Sequence, residues 1–495
     1  MFYHKNNFIK WAGIASIAIL MFTQACKKSF LDVPAQGQAP SSAFFKTPAD
    51  ATEAINAIYG NLRENHETGF AAIAVESMGS DEAEKGSDPG DAAYYNDFDT
   101  FTQNSGESQI SDFWNGQYAS INLCNQAIDS IPPINMDATL KTRYIAEAKF
   151  VRAYNYFRLV RAFGGVPLRM HYPKSGADFN LPRSTVAQVY AQIEQDLTDA
   201  ASILPQNYGA ADVGRATKGA ALALHAKVCM YQKNRWSDVL TYTNQVMALG
   251  YSLFPDFEQS FRIPNENNPE EIFELQCPSV ANNPSADNSQ YSQIQGVRGI
   301  PSGAGGFGLN VPTPALVAAF EPGDPRLNAT IIFRGSTTVE GDVIPATVPN
   351  PMYSYKAYVP FNVPWFSNQG EGQDVRVIRY ADVLLMNAEA ANETGNATQA
   401  LASLEIVRAR ARAGNSAILP PVTTTNHDAL QAAIWHERQV ELAMEFDRFY
   451  DVIRQGRGAA VFGVKGFVTG KSELQPIPQN EIDLSAGVLK QNPGY

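Results

Sequence analysis

"YADVLLMNAEAANETGNATQALASLEIVRARAR", Tyr380–Arg412, places two apolar stretches at helical spacing on either side of a short polar break. Ala388 and Ala390 are small enough to let two helices approach closely, and the "ETGN" that follows them supplies turn residues. This is the helix–turn–helix pattern of tetratricopeptide repeats, whose period is about 34 residues. The stretch therefore predicts a pair of helices that belongs to a stacked helical array.

A second stretch, "AALALHAKVCMYQKNRWSDVLTYTNQVMAL" at Ala220–Leu249, repeats this pattern with a break at Lys233-Asn234 before Trp236. We predict a mostly α fold in which tetratricopeptide-like helix pairs form a superhelical scaffold. Other helices are predicted where apolar residues recur at helical spacing: Ala51–Arg63, Asp112–Ile131, Thr142–Phe163 ended by Gly164-Gly165, a helix capped by Ser184 or Thr185, and a last pair with its core at Leu430–Arg454.

Two tracts rich in Gly, Pro, Asn and Ser, residues 80–106 and 255–375, interrupt the helical pattern. Irregular tracts of this length are uncommon in compact domains unless they are functional, and binding residues concentrate on loops held by a rigid scaffold. We therefore predict a long irregular, loop-rich and ligand-facing region. The mature chain then divides into an N-terminal half (about 26–254), a loop-rich insert (about 255–375), and C-terminal helical repeats with a tail (about 376–495).

The N-terminus has the pattern of an export signal. Lys5 and Lys10 precede the uncharged run "WAGIASIAILMF", which is too short to span a bilayer but suits a signal peptide. We predict a lipoprotein signal peptide over residues 1–25, with Cys26 as the lipid-bearing first residue of the mature protein. Thr23 stands where lipoproteins usually carry Leu, so cleavage as a plain secreted protein stays an alternative.

Composition and charge exclude other classes. The chain has 495 residues, of which 44% are hydrophobic and 18% charged, a globular balance. The net charge of -12 disfavours nucleic acid, whose phosphates select basic surfaces. Cys124, Cys229 and Cys277 form no CxxC pair, which predicts neither a disulfide framework nor a zinc site.

The motifs of common enzymes are incomplete in this chain. His436-Glu437 begins an H-E-x-x-H zinc motif, but Val440 stands where the second histidine is required. The glycines at 303–308 follow no clear strand and open no helix, which argues against a dinucleotide site. A glycosidase needs only two carboxylates, and no pair stands out. We therefore predict that the protein is not an enzyme, and catalysis is only the third hypothesis, after ligand binding and a scaffold for protein partners.

Three glutamates lie four residues apart at positions 437, 441 and 445, where like charges on one helix face repel. Arginines from elsewhere in the fold would remove this repulsion. We therefore predict a structural ion-pair network. The available arginine partners are Arg408, Arg410, Arg412, Arg438 and Arg448.

Aromatic residues recur along both loop tracts. An aromatic ring can cover the apolar face of a sugar, while amides and carboxylates hydrogen-bond its hydroxyl rim. The alternative is that these rings pack the loops onto the scaffold. Asp324 and other loop acids could also bind calcium, although no loop has EF-hand spacing. The candidate ligand residues are Asp81, Tyr94, Tyr95, Asn96, Tyr291, Phe307 and Trp365.

Several segments carry a family resemblance. They are "AEAKFVRAYNYFRLVRAFGGVPL" (Ala146–Leu168), "VIRYADVLLMNAEAANETGN" (Val377–Asn396), "IWHERQVELAMEFDRFYDVIRQG" (Ile434–Gly456) and "LQPIPQNEIDLSAGVLKQNPGY" (Leu474–Tyr495). With these, essentially the whole mature chain resembles the SusD/RagB family of Bacteroidota outer-membrane lipoproteins. Ser485-Ala486 departs from the family, which often has Asn-Pro there.

The resemblance implies a lipid-anchored outer-membrane protein that faces the cell surface and takes part in polysaccharide utilisation. It would bind a glycan or oligosaccharide, work with a SusC-like TonB-dependent transporter in nutrient uptake, and catalyse no reaction. Two alternatives stay open: a helical-repeat scaffold that binds only protein partners, and a peptide-binding RagB-like uptake protein. The resemblance transfers no ligand residue, because those of the family lie in variable loops.

Overall fold

The computed structural model describes residues 44–173, 180–277, 289–300, 305–363 and 372–495. The predicted signal peptide, Cys26 and Trp365 lie outside these residues. Within the described ranges, no helix is both long and apolar enough to cross a membrane.

The described chain is mostly helical, as predicted. Its α-helices are α1 (Pro48–Asn61), α2 (Asn65–Thr68), α3 (Phe70–Glu76), α4 (Tyr95–Asp99), α5 (Ser108–Ser130), α6 (Ala138–Phe163), α7 (Val186–Ile203), α8 (Lys218–Tyr231), α9 (Trp236–Met247), α10 (Tyr291–Gln295), α11 (Pro314–Ala319), α12 (Arg326–Thr330), α13 (Tyr380–Glu393), α14 (Ala397–Arg412), α15 (His427–Glu441), α16 (Arg448–Arg454), α17 (Gly458–Phe462) and α18 (Gln479–Leu484). Its strands are β1 (Ala83–Gly86), β2 (Glu271–Leu275), β3 (Leu309–Pro312), β4 (Ile331–Phe333), β5 (Met352–Ser354) and β6 (Val375–Arg379).

The ends of the long helices follow local sequence signals. At the start of α7, Thr185 Oγ1 accepts from the Gln188 backbone N–H, while Gln188 Oε1 accepts from Thr185 N–H, which makes a capping box. At the end of α6, Gly164 has φ 74°, a conformation that favours glycine. Both boundaries agree with the sequence prediction.

The scaffold is a serial stack of helices. Each helix from α5 to α9 packs against the next, α9 packs against α13, and α13 packs against both α14 and α15. Ala388 and Ala390 of α13 are fully buried at these close approaches. The two predicted helix pairs, α8–α9 and α13–α14, therefore lie side by side although the irregular region separates them in sequence.

The irregular region leaves and re-enters the scaffold at one place. β2 pairs antiparallel with β6, with Glu274 opposite Arg376 and Leu275 opposite Val375. The Tyr380 backbone N–H then donates to Glu270 O at 2.8 Å where α13 begins. The loop-rich insert is thus closed by a two-stranded ribbon.

A second ribbon joins the two irregular tracts. β1, from the first tract, pairs antiparallel with β3, from the second, with Ala83 opposite Pro312 and Gly86 opposite Leu309. The Thr313 backbone N–H donates to Glu82 O at 3.1 Å just beyond the ribbon. Residues separated by more than 200 positions therefore form one continuous irregular face.

The Glu82 carboxyl is buried at this junction. Its Oε1 accepts from the Met444 backbone N–H at 2.9 Å, and burial raises its pKa from 4.5 to about 8. The folded state keeps the Glu82 proton up to about pH 8, whereas the unfolded chain releases it near pH 4.5. The contribution of Glu82 to stability therefore falls as the pH rises through this window.

We expect Glu82→Gln to unfold at the same urea concentration as the wild type near pH 4, and at a clearly higher one near pH 9. The amide keeps the acceptor for Met444 and never ionises. Urea unfolding curves across this pH range measure the difference, with Glu53→Gln on the exposed face of α1 as the control. A difference between Glu82→Gln and wild type that does not change with pH contradicts the prediction.

The predicted ion-pair network exists, and two of its four arginines, Arg408 and Arg410, are among those named from the sequence. Glu437 accepts from Arg326 at 2.5 Å and from Arg408 at 2.7 Å. Glu441 accepts from Arg326, Arg379 and Arg410. Glu445 is held by Arg379 and Lys356.

Three of the five available arginines pair with other carboxylates. Arg412 pairs with Glu405, Arg448 with Asp81, and Arg438 with two aspartates, Asp382 and Asp451. Arg326 and Arg379, which take their place, come from the irregular region and from β6. The tertiary fold, rather than spacing along one helix, decides which cation reaches each glutamate.

Candidate functional site

Three aromatic rings form a partly exposed surface on the irregular face. Phe70 and Phe307 stack with ring centroids 6.1 Å apart and an angle of 22° between planes. Tyr94 meets Tyr95 edge-on at 5.0 Å, and Tyr95 lies 6.4 Å from Phe70. Phe70, Tyr94 and Phe307 are half-buried, whereas Tyr95 is fully buried.

Hydrogen bonds fix the backbone that carries these rings. Tyr95 OH donates to Phe70 O at 3.0 Å, and Asn65 Oδ1 accepts from the Phe70 N–H at 3.2 Å. On the other tract, the Phe307 N–H donates to Gln293 O at 2.8 Å. Because both tracts are also tied by the β1–β3 ribbon, the rings are held in place before any ligand arrives.

A polar cleft opens beside the rings. It has a volume of about 500 Å³ and lies between α2–α3 and α5. Gly116 in the wall of the cleft has no room for a side chain, because a Cβ at this position would lie 2.2 Å from the His66 ring. The cleft is lined by Asn65, His66, Phe70, Ala71, Tyr94, Gln109, Asp112, Asn115, Gly116 and Ala119.

The cleft offers both kinds of contact that a sugar requires. Rings can stack on the apolar C–H face of a pyranose, and amide, imidazole and carboxylate groups can exchange hydrogen bonds with its hydroxyls. Asp112 and Asn115 are exposed on α5 and project from one side. Burial raises the pKa of Asp112, and the neighbouring His66 opposes that rise.

The structure brings together part of the predicted ligand set. Tyr94 and Phe307 belong to the same aromatic surface, and Asn96 is exposed on α4 beside Tyr94 and Tyr95. Phe70 and the polar residues of α5 were not predicted. Phe70 opens the apolar helix "FAAIAVE", and nothing in that stretch distinguishes it from a core residue.

Other predicted ligand residues pack within the fold. The Asp81 carboxylate accepts two hydrogen bonds from Arg448 at 2.7 and 2.8 Å. Tyr291 is 9% exposed and meets Phe446 edge-on, and Tyr95 offers no exposed surface. Their role in binding stays a prediction, and we leave these three residues out of the candidate site.

Asp324, which the sequence suggested for calcium, is also paired within the fold. Both Asp324 oxygens accept from Arg326, one of them at 2.8 Å, and neither side chain is exposed to solvent. This pairing neutralises the carboxylate and satisfies its oxygens without a cation. We therefore build no calcium site on it.

The fold and the cleft define a class: a helical-repeat protein whose irregular face carries an aromatic-lined polar cleft. The chain belongs to the SusD/RagB family. A family model described as starch-binding and associating with the outer membrane matches residues 29–230, and the SusD family model matches residues 269–495.

Individual relatives agree over nearly the whole chain. SusD-like protein P2 of Formosa agariphila is 28% identical over 97% of this chain and 99% of its own length. A solved laminarin-binding SusD-like protein is 29% identical, with a TM-score of 0.77 over 91% of this chain and 100% of its own. Surface glycan-binding protein A of Bacteroides fluxus is 25% identical, with the same TM-score and the same coverage.

Proposed function

We propose that the protein binds a glycan or oligosaccharide, without catalysis, in the cleft beside Phe70, Tyr94 and Phe307. The observation that carries this proposal is the stacked Phe70–Phe307 pair at the edge of a polar cleft of about 500 Å³. A cleft of that size suits a few sugar rings. Two half-buried rings next to hydrogen-bonding side chains offer both kinds of contact that a pyranose requires.

The relatives indicate a first ligand to test. The laminarin-binding protein shares 29% identity with this chain across the whole of its own length. A β-glucan oligosaccharide of the laminarin type is therefore the first probe. Its rings present continuous apolar faces that suit a stacked aromatic pair.

Calorimetric titration of the full-length protein in detergent tests the proposal. We expect saturable binding of a laminari-oligosaccharide or another oligosaccharide from a panel of soluble glycans. Binding of peptides alone would support the RagB-like alternative, and binding of neither would support a scaffold for protein partners. Release of reducing ends from a polysaccharide would contradict the non-catalytic assignment.

We further propose that Cys26 carries lipid in the outer membrane and that the protein faces the cell surface with a SusC-like TonB-dependent transporter in nutrient uptake. Two observations support this proposal: the N-terminal sequence pattern, and the match to a family whose members are described as associating with the outer membrane. Two or three acyl chains would anchor the chain firmly, because each buried CH₂ contributes roughly 0.8 kcal/mol. Co-purification of a large β-barrel transporter from native membranes tests the partnership.

In cells that lack the transporter, we expect Cys26→Ser to move the protein from the membrane fraction to the soluble fraction after cell disruption. The serine hydroxyl is a poor nucleophile beside a thiol, so the lipid is not attached. Immunoblots of the fractions measure the change, and Cys124→Ser, a buried cysteine of α5, is the matched control. If Cys26→Ser still fractionates with membranes in cells that lack the transporter, lipid attachment at Cys26 is not the anchor.

A further inference from the structure

A cluster of three different side chains lies between α7 and α8, in the scaffold; two of the three are buried and one is partly exposed. Glu194 of α7 faces His225 and Cys229 of α8, which are four residues apart and therefore on one face of that helix. One ligand atom from each of the three lies within 4.8 Å of the others. These helices pack against each other, so the cluster joins two neighbouring elements of the repeat stack.

His225 is held with one nitrogen directed at this cluster. The residue is 2% exposed, and its ring stacks on Tyr242 with centroids 4.0 Å apart. The buried Nε2 faces the Glu194 carboxylate, with 3.5 Å between Nε2 and Glu194 Oε2, so both groups already point at one place.

The carboxylate is oriented by groups around it. Gln232 Nε2 donates to Glu194 Oε1 at 2.8 Å, and the Arg235 guanidinium spans both oxygens at 3.2 Å. Arg235 is itself paired with Asp238, so its charge is already balanced. Such outer partners fix the direction of a ligating carboxylate.

We propose that Glu194, His225 and Cys229 bind one Zn²⁺ ion. A thiolate, an imidazole and a carboxylate suit zinc, whereas calcium and magnesium take oxygen ligands. Two ligand atoms of tetrahedral zinc lie roughly 3.4 Å apart, which the separation of 3.5 Å between Nε2 and Oε2 already matches. Water takes the fourth position, because 20% of the Glu194 side chain is exposed.

Charge and protons balance at this site. The Cys229 thiol gives up its proton when it binds zinc as a thiolate. One proton is released as the Zn–S bond forms, and no electrons are transferred. The bound ion would pin α7 to α8 and so stabilise the stack. The CxxC and H-E-x-x-H motifs do not describe this cluster, because its three side chains come from two different helices.

Cobalt provides the direct test, because a thiolate ligand gives Co²⁺ a charge-transfer band in the near ultraviolet. The full-length protein in detergent, stripped with a chelator, is titrated with Co²⁺ and then with Zn²⁺. We expect one Co²⁺ per chain with this band, loss of the band on adding equimolar Zn²⁺, and a melting temperature several degrees higher with Zn²⁺. Absence of the band in the wild-type protein would overturn the proposal.

Variants identify the ligands. Cys229→Ser is expected to lose the band and the thermal shift, whereas Cys124→Ser, the other cysteine buried in a long helix, keeps both. Glu194→Gln, on the half-exposed side, keeps the fold and is expected to weaken Co²⁺ binding about tenfold or more. A band that persists in Cys229→Ser, or an unchanged Co²⁺ affinity in Glu194→Gln, would show that the ion binds elsewhere.

Discussion

Replacing Glu441 by Ala is expected to lower the free energy of unfolding by about 3–5 kcal/mol. Glu441 is fully buried and accepts hydrogen bonds from three guanidinium groups, those of Arg326, Arg379 and Arg410. Its removal leaves these cations in a low-dielectric interior with one carboxylate fewer. The loss of stability therefore comes more from leaving buried positive charge uncompensated than from the lost hydrogen bonds.

The same residue makes the fold sensitive to acid. Burial raises the pKa of Glu441, but Arg410, Arg379 and Arg326 outweigh it and hold the pKa at about 2, below the ordinary 4.5. Glu441 therefore stabilises the folded state fully above about pH 4.5, and this contribution is lost as the pH falls towards 2. Glu441→Ala should show a correspondingly weaker loss of stability across that window.

Urea unfolding of wild type and variant measures both effects. Glu405→Ala is the matched control, because Glu405 also pairs with an arginine, Arg412, yet 37% of its side chain is exposed. An exposed pair contributes about 0–1 kcal/mol, so the control should unfold close to the wild type. Equal losses in the two variants would show that burial of the network is not what makes Glu441 important.

The scaffold could be predicted because its signals are local. The spacing of apolar residues, Thr185 as a helix cap and Gly164 as a helix end all act within a few residues, and each is found in the structure. The helix pairs at Ala220–Leu249 and Tyr380–Arg412 are predictable for the same reason. Their side-by-side packing is not a local property, since it depends on how the insert between them is closed by β2 and β6.

The candidate site could be predicted only in part, because it is built from distant segments. Tyr94 and Phe307 could be predicted as ligand residues because they are aromatic residues within the loop tracts, and both contribute to one surface. Phe70, which joins them, lies in an apolar helix and has no loop signal. The β1–β3 pairing that brings the tracts together involves short strands with no distinctive pattern, so composition could not separate rings that face solvent from buried ones such as Tyr95 and Tyr291.

Removing Phe307 or Phe70 is expected to weaken oligosaccharide binding by roughly tenfold to thirtyfold for each ring, if the cleft is the binding site. A ring that covers a sugar face and is buried in the complex has the character of a binding hot spot, worth about 2 kcal/mol on truncation. Calorimetry on Phe307→Ala and Phe70→Ala measures the change. Trp236→Ala, which removes a half-buried ring at the start of α9, should leave the affinity unchanged.

The double variant tests the stacked arrangement itself. Because the two rings contact each other, each single substitution also disturbs the ring that is left, so the losses should not add. We expect Phe70→Ala/Phe307→Ala to bind only slightly more weakly than either single variant. Fully additive losses would mean that the rings contact separate sugars independently, and no loss in either single variant would place the ligand elsewhere.

A polar variant separates loss of binding from loss of folding. Asn115 is exposed on α5 and lines the cleft, so Asn115→Ala should leave the melting temperature unchanged. It should still weaken binding by roughly twofold to tenfold, the value of one neutral hydrogen bond. If the ring variants lose affinity while Asn115→Ala does not, the sugar lies on the aromatic surface without entering the cleft. Loss of affinity in both the ring variants and Asn115→Ala places the sugar across the rings and along α5, where its hydroxyls meet the Asn115 amide.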